Sequence, residues 1–200
     1  ELIVLAIGHS ARDTFEILYS KNIDMEPKAF AVGFRVMHPQ SFINQSQYGT
    51  AEVKELGAAP YKITAKASDG RGVYSFCMCP GGYVVNASSE DGCTAVNGMS
   101  YSGRNSSCAN SAIIVSVSPE DYPSKEVLAG MHFQRILERN AFTIAQGKVP
   151  IQKYRDYVNL LSEKNQLDMV SYSDDILAFE PEIKGQYALA DLTPAAESVN

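Results

Sequence analysis

The chain has 200 residues, 45% hydrophobic and 20% charged, with 14 Gly and 9 Pro, an ordinary globular composition that can bury roughly 70% of the unfolded surface in one domain. Its formal net charge of −6 argues against a nucleic-acid backbone or an anionic membrane as partner. No apolar run reaches the ~18 residues of a transmembrane helix. The acidity is local: from residue 165 onward, seven Asp or Glu face a single Lys, and the chain before that is balanced.

Leu2-Ile-Val-Leu-Ala-Ile7 is a continuous apolar run of strand length, the pattern of a strand covered on both faces. It follows Glu1 rather than a basic stretch, which argues against a signal peptide. A chain opening on a strand already under way reads as a piece of a longer protein. Gly8 and His9 turn the chain, and Ser10 stands where an N-cap belongs, with Asp13 three residues on. Residues 11–22 fit an amphipathic helix with Phe15, Ile17 and Leu18 on its apolar side. A strand–Gly–helix junction aims backbone N–H groups and the positive dipole end at a ligand. Gly8, His9 and Ser10 are therefore candidate contacts, beside the plainer reading of a capped turn.

Residues 29–37 alternate, with Phe30, Val32, Phe34 and Val36 on one face and Ala31, Gly33 and Arg35 on the other, a half-buried strand. His38-Pro39 stops it, and Pro39 opens a short helix through Gln47. Residues 61–67 predict a strand that turns at Ser68-Asp-Gly70 into a central hairpin. The hairpin's strands, Gly72–Phe76 and Tyr83–Ala87, flank the loop Cys77-Met-Cys-Pro-Gly-Gly82. Ser89-Glu-Asp-Gly92 leads to a short strand at 93–96. Asn97 to Asn110 reads as a long polar loop, suited either to solvent or to a polar ligand, and 111–117 closes the sheet. Helical spacing follows over 125–146 (Leu128, Met131, Ile136, Leu137, Phe142) and again from Pro150 onward (Ile151, Tyr154, Val158, Leu161). His132, Glu138 and Arg139 fall on a solvated face.

The expected fold is α+β: a mostly antiparallel sheet or partly closed β-barrel, then a small helical subdomain, preceded by a βα piece. The expected boundaries are 1–27, 28–118, 119–165 and an acidic tail at 166–200.

Chemistry concentrates at residues 77–82. Two thiols precede Pro80, which lacks an N–H, and Gly81 and Gly82, which tolerate positive φ and offer bare amides. The four cysteines, Cys77, Cys79, Cys93 and Cys108, are too few and too unevenly spaced for a disulfide scaffold. Only one close Cys pair exists and His9, His38 and His132 are scattered, so no metal site is expected. Reduced thiols suit a cytoplasmic protein.

Several blocks in order carry a resemblance: Leu5-Ala-Ile-Gly-His-Ser-Ala-Arg-Asp-Thr14, Phe30-Ala-Val-Gly33, Arg35 with His38-Pro39-Gln40, and Tyr48-Gly49. With them come Gly72-Val-Tyr-Ser-Phe-Cys-Met-Cys-Pro-Gly-Gly-Tyr83, Asn97-Gly-Met-Ser100 and Asn110-Ser-Ala112. From residue 2 to about 165 the chain resembles the middle of the NAD(FAD)-utilizing dehydrogenases, bacterial flavoproteins with two dinucleotide-binding domains. The resemblance implies that residues 1–27 leave a FAD-binding Rossmann-like domain and that the remainder is its inserted substrate domain. No Gly-x-Gly-x-x-Gly fingerprint is present, so the fragment alone is not expected to bind FAD tightly or to be active.

The resemblance further implies a parent enzyme that takes hydride from NAD(P)H onto FAD and reduces a small-molecule substrate, with the FAD-binding domain of the same chain as partner. Cys77 and Cys79 are then the candidate catalytic thiols. Gly8, His9, Ser10, Arg12, Pro80, Gly81 and Gly82 are candidates for the cofactor. Arg71, Asn97, Met99, Tyr101, Arg104 and Asn110 are candidates for substrate. The competing readings are a non-catalytic ligand- or partner-binding module, including an accessory domain of an RNA-modifying flavoprotein, and a small Cys-based reductase. The charge disfavours the RNA reading, and Cys-x-Cys in place of Cys-x-x-Cys disfavours the reductase.

Overall fold

The computed structural model describes residues 2–165 and 181–192. In chain order the elements are α1 (Arg12–Ser20), β1 (Phe30–Pro39), α2 (Gln40–Tyr48), β2 (Thr64–Lys66), β3 (Gly72–Cys79), β4 (Tyr83–Asn86), β5 (Val96–Met99) and β6 (Cys108–Val117). A 3-10 turn at Pro119–Asp121 leads to α3 (Ala129–Ile144), β7 (Val149–Ile151), α4 (Tyr154–Asn165), β8 (Ile183–Lys184) and β9 (Tyr187–Leu189). Four strands form an antiparallel sheet in the order β1–β6–β3–β2. The fold is α+β, and among the described residues this sheet stays open instead of closing into a barrel.

The alternation in β1 sets the layers. Phe30 and Val32 pack with Val117, Tyr122, Ala129, Phe133 and Leu137, which lays α3 across that face. Phe30 stacks on Tyr122 with centroids 5.4 Å apart, and Phe34 meets Tyr157 of α4 edge-on at 5.7 Å. Each such side chain, fully buried, contributes roughly 1.5–3 kcal/mol. Gly130 permits the close approach, since a Cβ there would press on the Phe30 and Tyr122 rings at 3.1 Å. On the opposite face, Arg35 lies across from Ala112 and Ala112 across from Phe76, with Met37, Asn110 and Cys79 forming the neighbouring row. Phe76 is 57% exposed there.

Residues 72–87 depart from the expected hairpin. Both strands form, but β3 joins the four-stranded sheet, whereas β4 pairs antiparallel with β5 and parallel with β8. The cause is a corner: the β3–β6 register shifts between Phe76 and Cys79, and Cys77 and Gly81 take positive φ of 45° and 50°. A bulge with left-handed residues re-aims the chain, so the strands leave in different sheets. Asn97 and Met99, expected in a loop, belong to β5. The irregular stretch shrinks to 100–107.

Other expectations are corrected by pairing. Residues 2–7 form no strand, and Leu2, Ile3, Val4 and Leu5 are 89, 86, 77 and 59% exposed, because no described strand lies beside them. The N-cap of α1 is Ala11, not Ser10. Pro150 lies in β7, paired with β9, and the following helix opens only at Tyr154. Within the stretch read as an acidic tail, Ile183–Lys184 and Tyr187–Leu189 pair with strands of this same chain; the other tail residues, 166–180 and 193–200, lie outside the described ones. No helix among the described residues is long and apolar enough to cross a membrane.

Candidate functional site

The sequence candidates divide into three places. The first is α1. Gly8, His9 and Ser10 are exposed, and the His9 Nε2–Ser10 Oγ contact is 3.5 Å long. Arg12, expected to face an anionic cofactor group, is instead 2% exposed. Its guanidinium donates to Glu90 and Glu138 at 2.6 Å each and to Gln134 at 3.2 Å. Arg135 donates to Glu90 and Glu16, also at 2.6 Å. The Glu138 bond, reinforced by Glu90, raises the Arg12 pKa, and Arg135 with Arg12 brings the Glu90 carboxyl down to about 2. Glu138 therefore faces a buried ion-pair network and not solvent. Glu90, Cys93 and Glu138 stand close enough to share an ion, but the two arginines already neutralise those carboxylates.

The second place is the corner after β3, where Pro80, Gly81 and Gly82 are buried. Their amides are not bare, which corrects that expectation. The Gly81 N–H donates to Gln40 Oε1 at 2.7 Å and the Gly82 N–H to the Cys108 carbonyl at 2.9 Å. Gln40 is fixed in turn by Asn44 and the Ala59 carbonyl. The glycines are required by close approach: a Cβ on Gly81 would overlap the Arg104 backbone, and one on Gly82 the Met99 carbonyl. Met99 itself pairs with Tyr83. Arg104 is exposed with φ 45°, and Tyr101 is 55% exposed and edge-on to Tyr83 at 5.7 Å. Glu182 anchors this loop by accepting from the Ser106 hydroxyl at 2.5 Å and from the Ser107 amide at 3.2 Å.

The third place gathers Cys77, Cys79, Asn97 and Asn110 around a residue absent from the candidate set, Arg35. Arg35 Nη1 donates to Asn110 Oδ1 at 2.7 Å and to the Cys77 carbonyl at 3.2 Å, and Nη2 donates to Asn97 Oδ1 at 3.3 Å. Asn110 is 0% exposed, and its Nδ2 and the Arg35 Nε are both buried without a partner. Gly98 closes over the group: a Cβ there would run into Arg35 Nη1, Asn110 Oδ1 and Cys79 Sγ. Cys79 donates its S–H to the Cys77 carbonyl at 3.4 Å, and Cys77 is exposed. Burial lowers the Arg35 pKa, with the Cys79 and Cys77 sulfurs acting against that shift. On the other side of the sheet, His38 Nε2 meets the Tyr61 hydroxyl at 2.7 Å, and burial lowers the His38 pKa.

Arg71 belongs to none of these places. It stands just before β3, pairing with Asp121 at 2.5 Å and Asp69 at 2.8 Å. The open depression lined by Thr50, Glu52, Val53, Lys54, Glu55 and Leu56 holds no candidate residue. Arg35 was legible only as the one charged residue on the small-residue face of β1 (Ala31, Gly33, Arg35). Charge in a half-buried strand was the available signal.

A family profile described as "FAD-dependent protein, C-terminal domain-like" matches residues 29–190. A curated protein of Clostridium beijerinckii, described as "Uncharacterized protein", is 51% identical over 162 residues, which cover 79% of this chain and 30% of that protein. The chain thus spans about 30% of the length of the relative it matches. It belongs to the FAD-dependent protein C-terminal domain-like family.

The donor set bears on a flavin in two ways. A guanidinium flanked by two carboxamides suits the carbonyl edge of a flavin ring or a polar ligand lying against it. The amides of Gly81 and Gly82 are committed within the protein and the 200 residues hold no Gly-x-Gly-x-x-Gly segment, so these two glycines do not cradle a diphosphate.

Proposed function

We propose, from that family membership, that this domain forms the substrate side of a FAD-dependent oxidoreductase that takes hydride from NAD(P)H and reduces a small polar acceptor. The observation that carries the reading is Arg35, a guanidinium held by Asn97, Asn110 and the Cys77 carbonyl, with the Cys79 sulfur beside it. A desolvated, pre-oriented cation stabilises negative charge developing on a reacting group far better than one in water. FAD, when bound, supplies the hydride chemistry.

The chain's own residues orient and polarise. Buried Asn110 fixes the guanidinium, and exposed Asn97 closes its other edge with a weaker 3.3 Å bond. Gly98 leaves the space in which they meet. The exposed thiol of Cys77, on a left-handed residue at the strand corner, is the accessible nucleophile of the group, with Cys79 as its neighbour. The partner is the FAD-binding part of the same protein, against which the exposed Leu2–Ile7 segment would pair, with Gly8, His9 and Ser10 turned toward the cofactor.

The test is the visible spectrum of the full-length protein before and after NADH or NADPH, for wild type, Arg35→Met, Cys77→Ser and Cys79→Ser. A flavin band that bleaches with nucleotide, and whose reoxidation by acceptor slows in Arg35→Met, is expected. A colourless protein, or identical traces from all four, overturns the reading.

A further inference from the structure

We propose that the Nε–Nη2 edge of Arg35 is a carboxylate-binding site, so that the substrate is a small carboxylic acid with an apolar body. Only the word substrate rests on the oxidoreductase reading; the binding rests on the side chains alone.

Three observations carry it. First, among the described residues Arg35 has no carboxylate partner. Its acceptors are two neutral carboxamide oxygens and one carbonyl, and the ion pairs among the described residues include none with Arg35. The Cys79 sulfur also stands beside the guanidinium, and its S–H donates to the Cys77 carbonyl. Taking a cation out of water without an anion is costly, and a ligand's anion removes that cost.

Second, the free valence has the right shape. With Nη1 committed to Asn110 and Cys77, the remaining edge of the planar guanidinium carries Nε–H, buried and without a partner among the described residues, and Nη2–H, which has only the 3.3 Å bond to Asn97, so a ligand reaches this edge when the Asn97 side chain moves aside. Two parallel N–H groups match the two oxygens of one carboxylate. The Asn97 oxygen stands where one ligand oxygen would go. Asn97 is exposed and its oxygen also accepts from the Gly98 N–H at 2.8 Å, so the carboxamide can give way to a ligand. A single guanidinium balances a monoanion; a phosphate near −2 asks for more.

Third, the row that holds Arg35 continues through Ala112 to Phe76. Neighbouring strands lie about 4.8 Å apart, so only the small Ala112 side chain separates the Arg35 strand position from a 57% exposed phenyl ring. A carboxylate on Arg35 places the rest of the molecule over Ala112 and against Phe76.

The experiment is calorimetric titration of the full-length protein with benzoate, benzamide and inorganic phosphate. Wild type is expected to bind benzoate and to reject both benzamide and phosphate. Arg35→Met should weaken benzoate about 30-fold or more, Arg35→Lys should fail to restore it because the edge is gone, and Phe76→Ala should cost several-fold. Asn97→Ala, which removes the placeholder but no charge, should retain or tighten binding, and it remains informative where Arg35 variants fold poorly. Equal affinity for benzamide, unchanged affinity in Arg35→Met, lost binding in Asn97→Ala, or phosphate in place of benzoate each overturns the proposal. The readout needs no flavin. Benzoate binding by a colourless protein would sink the redox reading and keep this one; a bleaching flavoprotein indifferent to benzoate would do the reverse.

Discussion

Arg12 is buried and Arg35 half-buried, and they show two ways for a fold to hold a cation. Both leave a buried Nε without a partner, so hydrogen-bond deficit does not separate them. Counter-charge does. Arg12 faces two carboxylates and its pKa rises; Arg35 faces neutral oxygens and its pKa falls through burial. The first arrangement is electrically closed and ties α1 to the turn at Glu90 and to α3. The second is electrically open. A closed ion pair fastens elements, whereas an open cation is available to whatever anion arrives.

The largest expected effect is on the closed side. Arg12→Met leaves Glu138 without its arginine and Glu90 with Arg135 alone, and urea denaturation should show a loss of about 3–5 kcal/mol. A loss below 1 kcal/mol would remove the contrast altogether. Acid attacks the same network. Glu90 is held at about 2, below its ordinary 4.5, so its stabilisation is full above pH 4.5 and is lost as pH falls through about 2. That pair of values corresponds to at most about 3 kcal/mol, seen as a Tm that falls over this window in wild type and falls less in Arg135→Met.

On the open side, Gly98→Ala forces a methyl group into Arg35 Nη1, Asn110 and Cys79. It should cost about 1–3 kcal/mol by overpacking and displace the guanidinium, read together by denaturation and benzoate titration. Smallest of all, Arg35→Met should change stability by about 1 kcal/mol or less, because it removes an uncompensated charge along with its hydrogen bonds. A loss as large as that of Arg12→Met would make Arg35 another structural fastening and end the comparison.

Local physics was readable in the chain. The alternation of Phe30, Val32, Phe34 and Val36, the Pro39 stop with a short helix behind it, and the helical spacing from Leu128 to Phe142 all form as the residues dictate, because periodicity and proline stereochemistry act over a few residues. The loop at 77–82 and the residues Asn97 and Asn110 were likewise visible as unusual polar or thiol-bearing segments. Their meeting point was not. Arg35 lies in β1, Cys77 and Cys79 end β3, Asn97 lies in β5 and Asn110 in β6, and no local pattern brings four strands to one guanidinium.

What the sequence determined by itself was element type: which stretches extend, which coil, and where glycine and proline bend the chain. Tertiary structure alone decided which strands pair, that the corner after Cys79 sends β4 into a second sheet, that Leu2–Ile7 finds no strand beside it among the described residues, and that Arg12 is neutralised while Arg35 is not. Pairing and charge compensation depend on residues tens of positions apart brought together by burial, and neither the period of a strand nor the spacing of a motif records who the distant neighbour is.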